Sequence, residues 1–110
     1  MVFGFASLKP VSYVDAKNDS QFFVDFLKRL KMLSGLEWNT LWTTQRHGLG
    51  PEMIGRENLK PSVQKLVPED MKNLIVLRAT DDNHAFLGYR DGNVFQVLFI
   101  EYAFGDIYNH

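Results

Sequence analysis

The chain contains no cysteine. That excludes a disulfide scaffold, thiolate ligation of zinc or an iron–sulfur cluster, and thiol redox chemistry. No apolar run approaches the ~20 residues that a membrane-spanning helix needs. The opening "MVFGFASL" lacks the basic flank and long apolar core of a secretion signal. The expected location is therefore the cytoplasm, with no membrane partner. Proline is scarce as well, and three of the four (Pro51, Pro61, Pro68) crowd into one stretch. Outside it the chain is free to form uninterrupted elements. A net charge of −1 gives no overall attraction for nucleic acid.

What is present is a dense apolar content: 45% hydrophobic and 14% aromatic over 110 residues, enough for one packed core and too short for two. The expectation is a single domain spanning 1–110. The charge is uneven. Residues 28–78 carry nine Lys or Arg against five acids, whereas 79–110 carry one Arg against five acids. A positive patch can thus form on a near-neutral molecule.

Along the chain, "FGFASLKPVSYVDA" contains Val11, Tyr13 and Val14, which suit a strand, and Pro10 means that this strand belongs at an edge or starts after it. "NDSQ" offers Asn18, Asp19 or Ser20 as an N-cap. Phe22, Phe26, Leu30 and Leu33 then recur at helical spacing up to Gly35, which predicts a helix over 20–34 and contact of Phe22, Phe26 and Leu30 with a sheet. "LEWNTLWTT" predicts a second, shorter helix. The glycine- and proline-rich stretch 46–73 reads as loops and short helical turns that pack through Met53, Ile54, Leu59, Val63 and Leu66. From Leu74 the period changes to that of strands, "LIVLRAT", "HAFLGYR" and "NVFQVLFIEY". The "DG" between the last two predicts a hairpin turn at Asp91–Gly92, with Arg90 facing Asn93 and Gly88 facing Phe95. Both hairpin faces are apolar, so it belongs inside the sheet. The order β-α-α-β-β-β is α+β, a helical hairpin on one face of a small, mainly antiparallel sheet.

Arg78 stands in the middle of an apolar strand. It either pairs with Asp81, Asp82 or Glu101, or it offers a planar fork to a phosphate. Arg90 beside the hairpin turn reads first as a solvated end charge. His47 and His84 are too far apart for a recognised metal motif, so no metal or cofactor is expected. The tail "GDIYNH" leaves the last strand with Tyr108 and His110, which either fray, pin the chain, or serve a site.

The segments "NLIVLRAT", "AFLGYRDG" and "VFQVLFIEYAFGDIYNH", behind a helical hairpin, resemble the RelE/ParE-like toxins of bacterial toxin–antitoxin systems. The near-neutral charge departs from the basic character usual there. The resemblance implies an enzyme that cleaves messenger RNA without a metal, on or off the ribosome, and that an antitoxin protein holds inactive. The ribose 2′-OH attacks the adjacent phosphate, which requires a base, a cation on the phosphate and an acid for the leaving oxygen. Carried onto this chain, Arg78 matches the "LR" arginine as phosphate clamp, and Arg90 matches the "YR" arginine. Tyr108 is the assisting group in the tail, and His110 is a proton carrier whose loss should matter less. Arg46, Arg56, Lys60, Lys65 and Lys72 are candidates for contacts with the RNA backbone. The alternatives are a non-catalytic toxin or a small protein-interaction module that uses the same sheet face. The nuclease requires Arg78 and Tyr108 to converge on an open concave surface, whereas the module predicts Arg78 buried in an ion pair.

Overall fold

The computed structural model describes residues 1–43 and 50–110. Arg46 and His47 lie outside the described residues. A five-stranded sheet is built from β1 (Val2–Gly4), β2 (Glu52–Gly55), β3 (Asn73–Arg78), β4 (Ala85–Asp91) and β5 (Val94–Glu101). Its order is β1-β5-β4-β3-β2, with β1 parallel to β5 and every other pair antiparallel. The helices α1 (Ser20–Ser34) and α2 (Trp38–Thr43) follow β1, and the short α3 (Pro61–Gln64) follows β2. The chain thus starts at one edge, crosses to the other, and meanders back. The fold is α+β, as the pattern of periods implies. Among the described residues no helix is long and apolar enough to cross a membrane.

The helix α1 has the predicted bounds. The Asp19 carboxylate accepts the Phe22 N–H at 3.0 Å, satisfying one of the donors left open by the first turn. Tyr102 donates its hydroxyl to the same carboxylate at 2.6 Å and, with Phe22, holds that carboxyl below its ordinary range. Phe22, Phe26 and Leu33 bury one stripe of α1 against Ile75, Leu77, Phe86, Phe95 and Ile100, with Leu30 partly buried beside them. The Phe26 and Phe86 rings meet at 5.1 Å. Strand alternation sends Leu74, Val76, Leu87 and Ile54 to the other face. There a second core is closed not by a helical hairpin but by Leu59, Val63 and Val67 of the connector and by Ile107 and Tyr108 of the tail.

Three local expectations are corrected. The first strand lies at a sheet edge but precedes Pro10: β1 is Val2–Gly4, and Tyr13–Ala16 forms a 3₁₀ turn instead of a strand. Pro10 lacks an N–H, and Ser12 has φ 69°, so segment 9–12 meets β5 only through Lys9 N–H to Leu98 O and a single bridge from Ser12 to Ile100. Second, the connector contains β2, which pairs with β3 from Glu52↔Val76 to Gly55↔Asn73. Third, the hairpin loop is Gly92–Asn93, one residue later than predicted, because Asp91 pairs with Val94. Gly92 has φ +62° and Asn93 does not share that sign, the pattern of a turn with glycine at its first central position. Gly88 consequently faces Val97, next to a bulge that shifts the register between Leu87 and Gly88. The backbones close in so tightly that a Cβ on Gly88 would stand 1.9 Å from the Gln96 carbonyl oxygen and 2.8 Å from the Phe95 ring. No side chain fits there.

Candidate functional site

Arg78 ends β3 and pairs in register with Ala85 of β4, which pairs in turn with Glu101 of β5. Cross-strand partners share a face. One row across the sheet therefore reads Arg78, Ala85, Glu101, a cation and an acid separated by a methyl group. Glu52, the partner of Val76, stands on the same face at the outer strand. The small alanine leaves room above it, and a cavity of about 180 Å³ opens there. Arg78, Glu52, His84, Phe104, Tyr108 and His110 are among its walls.

The tail reaches this place because it is stitched down. Lys60 N–H donates to Ile107 O at 2.9 Å and Asn109 N–H to Asn58 O at 2.8 Å, around a bridge between Leu59 and Tyr108. Beneath it Glu101 is completely buried. Its Oε2 accepts the N–H groups of Ile107 at 2.8 Å and Tyr108 at 3.2 Å. Its Oε1 lies 2.6 Å from His110 Nε2. Every polar oxygen of this buried acid is used, as burial requires. The imidazole is clamped between two rings, Phe104 at 3.8 Å and Tyr108 at 3.9 Å between centroids. With Nε2 donating to the carboxylate, Nδ1 is the nitrogen left to exchange a proton.

The Arg78 side chain is exposed and makes no hydrogen bond or ion pair among the described residues. Two of the three partners proposed for it are otherwise engaged: Asp81 pairs with the buried Arg29 of α1, and Glu101 holds the tail. Asp82 is exposed and makes no ion pair with it among the described residues. Arg78 and Tyr108 do converge on one open concavity.

Burial pushes the Tyr108 phenol up to about 12, with the negative charges of Glu101 and Glu52 adding to the rise and Arg78 opposing it. The group is thus a hydrogen-bond donor throughout the neutral range and not a base. The folded chain holds this proton more tightly than the unfolded chain, whose phenol ionises near 10.0. Stability should therefore fall as pH rises from about 10 towards 12. An ultraviolet titration of the tyrosines should show a late step near 12 that Tyr108→Phe removes. A missing step near 10.0 instead would mean that the phenol is not sequestered.

Other expected residues are not brought to this cavity. Arg90 lies at the far end of β4, about 17 Å along the strand from Ala85. Its guanidinium sits over Trp38 at 4.7 Å, and its Nε donates to Gly92 O at 2.9 Å, so it caps the hairpin on the helix side. Arg56 spends its guanidinium on the carbonyls of Gln64, Val67 and Pro68, which folds the connector around α3. Lys60 donates to Asn109 Oδ1 at 2.9 Å beside the tail, and Lys72 to Glu69 O at 3.1 Å. Lys65 is exposed. None of these five lines the cavity. His84 does, with Nδ1 2.6 Å from Tyr102 O and its ring stacked on Tyr102. Among the described residues no three His, Asp or Glu side chains converge as a metal cluster.

Sequence reasoning passed over Glu52 and Phe104, and treated Glu101 only as a partner for Arg78. A usable signal existed for Glu101, the single acid closing the apolar run "VFQVLFIE". For Phe104 and Glu52 there was none, since their place depends on the return of the tail and on β2. The chain matches no family model, no curated protein and no solved structure.

Proposed function

We propose that this protein is a toxin-like endoribonuclease of the RelE/ParE-like type, acting in the cytoplasm on messenger RNA without a metal and restrained by an antitoxin protein. The observation that carries this reading is Arg78, exposed and unpaired among the described residues, on the wall of a cavity that also holds Tyr108 and His110. Its guanidinium is free to take a ligand there, and a phosphate oxygen, which the planar fork can hold bidentately, is a natural partner.

In the proposed reaction the ribose 2′-OH attacks the neighbouring phosphorus and the P–O5′ bond breaks. Arg78 neutralises charge building on the phosphate oxygens. His110, gripped by Glu101 through Nε2, exchanges a proton through Nδ1, and Glu52 is the second proton carrier on the same rim. The phenol of Tyr108 donates a hydrogen bond to the phosphate. The proton lost by the 2′-OH is balanced by the one gained by the 5′-oxygen.

The products should carry 2′,3′-cyclic phosphate and 5′-hydroxyl ends, and should form in the presence of a chelator. Purified protein incubated with messenger RNA, with and without ribosomes, tests this by end-group mapping. RNA left intact under both conditions would reject the reading. The interaction module finds less support, since it expects Arg78 to be consumed by an internal ion pair.

A further inference from the structure

Phe104 occupies the turn between β5 and the tail, and 61% of its surface is exposed. An aromatic ring gains by burial, and this fold does not bury it. The turn that carries it is nonetheless braced. Asp106 N–H donates to Ala103 O at 3.0 Å, the Ser12 hydroxyl donates to the Asp106 carboxylate at 2.7 Å, and Tyr102 N–H donates to the Ser12 oxygen at 2.8 Å. Gly105, at φ +89°, allows the reversal. One face of the Phe104 ring lies on His110, with planes 28° apart, and His110 lies on Tyr108. Among the described residues no further ring packs on Phe104. Three rings therefore form a short stack, open at its outer end, on the wall of the cavity that holds Arg78.

A cation beside an open aromatic face is the arrangement that holds unpaired nucleic acid, the one taking the phosphate and the other a base. We propose that Phe104 is a stacking platform for an unpaired nucleobase adjacent to the phosphate held by Arg78. The substrate is then single-stranded RNA, accepted with little regard to base identity because every base offers a flat face. Paired bases, already stacked in a duplex, cannot use the platform. This inference rests on the nuclease reading for the phosphate, and adds the base.

The test uses a short, fluorescein-labelled RNA of 2′-O-methyl nucleotides, which cannot be cut, with anisotropy as the readout and RNA cleavage measured in parallel. Phe104→Ala should weaken binding roughly 10- to 100-fold. Phe104→Trp should bind at least as well as wild type, with the introduced indole quenched by the stacked base. One abasic position should weaken wild type by a similar factor and cost Phe104→Ala nothing further, as expected when two changes remove one contact. The same sequence as a duplex should fail to compete. Equal binding by wild type and Phe104→Ala overturns the platform while leaving the nuclease intact. So does a wild type that cuts RNA but does not bind the oligonucleotide. A wild type that neither binds nor cuts brings down the nuclease reading as well.

Discussion

Arg78→Ala should lower RNA cleavage by about 10²–10³-fold, equivalent to roughly 3–4 kcal/mol of transition-state stabilisation, and leave the melting temperature unchanged. The two halves of that expectation come from different features. The loss follows from removing the only arginine or lysine among the described residues on the cavity wall. The unchanged stability follows from its exposure and its lack of any partner among the described residues, since substitutions at such sites usually stay within about 0.5 kcal/mol. Arg78→Lys keeps the charge but not the planar fork, so it should recover only part of the activity. Thermal unfolding and cleavage, measured on the same preparations, check both halves. A variant that melts several degrees lower would show that Arg78 belongs to the scaffold. Full activity in a stable variant would remove it from the site.

How much of this was legible in the sequence depends on the range of the interactions involved. The bounds of helix α1 were readable, because the capping contact, left open among Asn18, Asp19 and Ser20, and the spacing of its apolar stripe are set within a few residues. The hairpin was found but displaced by one residue. Asp91–Gly92 and Gly92–Asn93 both satisfy a two-residue turn, and the register that separates them, Asp91 with Val94 and Gly88 with Val97, runs the length of the hairpin. The edge strand β2 was missed, since four residues with two exposed leave no alternation to detect. At the site, Arg78, Tyr108 and His110 were named from the tail and the arginine-bearing strand. What joins them was not visible. The alignment of Arg78, Ala85 and Glu101 depends on a bulge, and the docking of the tail depends on Leu59, nearly fifty positions away. The basic middle was misleading for a similar reason: Arg56 is turned inward by carbonyls of its own connector.

Glu101→Ala should be the most damaging single change for both fold and activity. It removes a carboxylate with no exposed surface and leaves the N–H groups of Ile107 and Tyr108 without their acceptor, along with the anchor of His110. Breaking one side of such a buried arrangement costs about 3–5 kcal/mol. At roughly 4 °C or more per kcal/mol in a domain of this size, the melting temperature should fall by more than about 10 °C. The damage should be local at first, because the tail is the lid of the second core. Amide exchange at Ile107 and Tyr108 should accelerate well before that of β4. Glu101→Gln separates structure from chemistry. Its amide oxygen still accepts the two backbone N–H groups, so the tail stays docked and most stability is retained. Its NH₂ now faces His110, which must accept there and carry its proton on Nδ1 instead. The imidazole is then held in place with its free nitrogen, Nδ1, already protonated. If His110 moves a proton in the reaction, Glu101→Gln loses cleavage despite its stable fold. An active Glu101→Gln would restrict Glu101 to holding the tail and would leave His110 as a wall of the cavity.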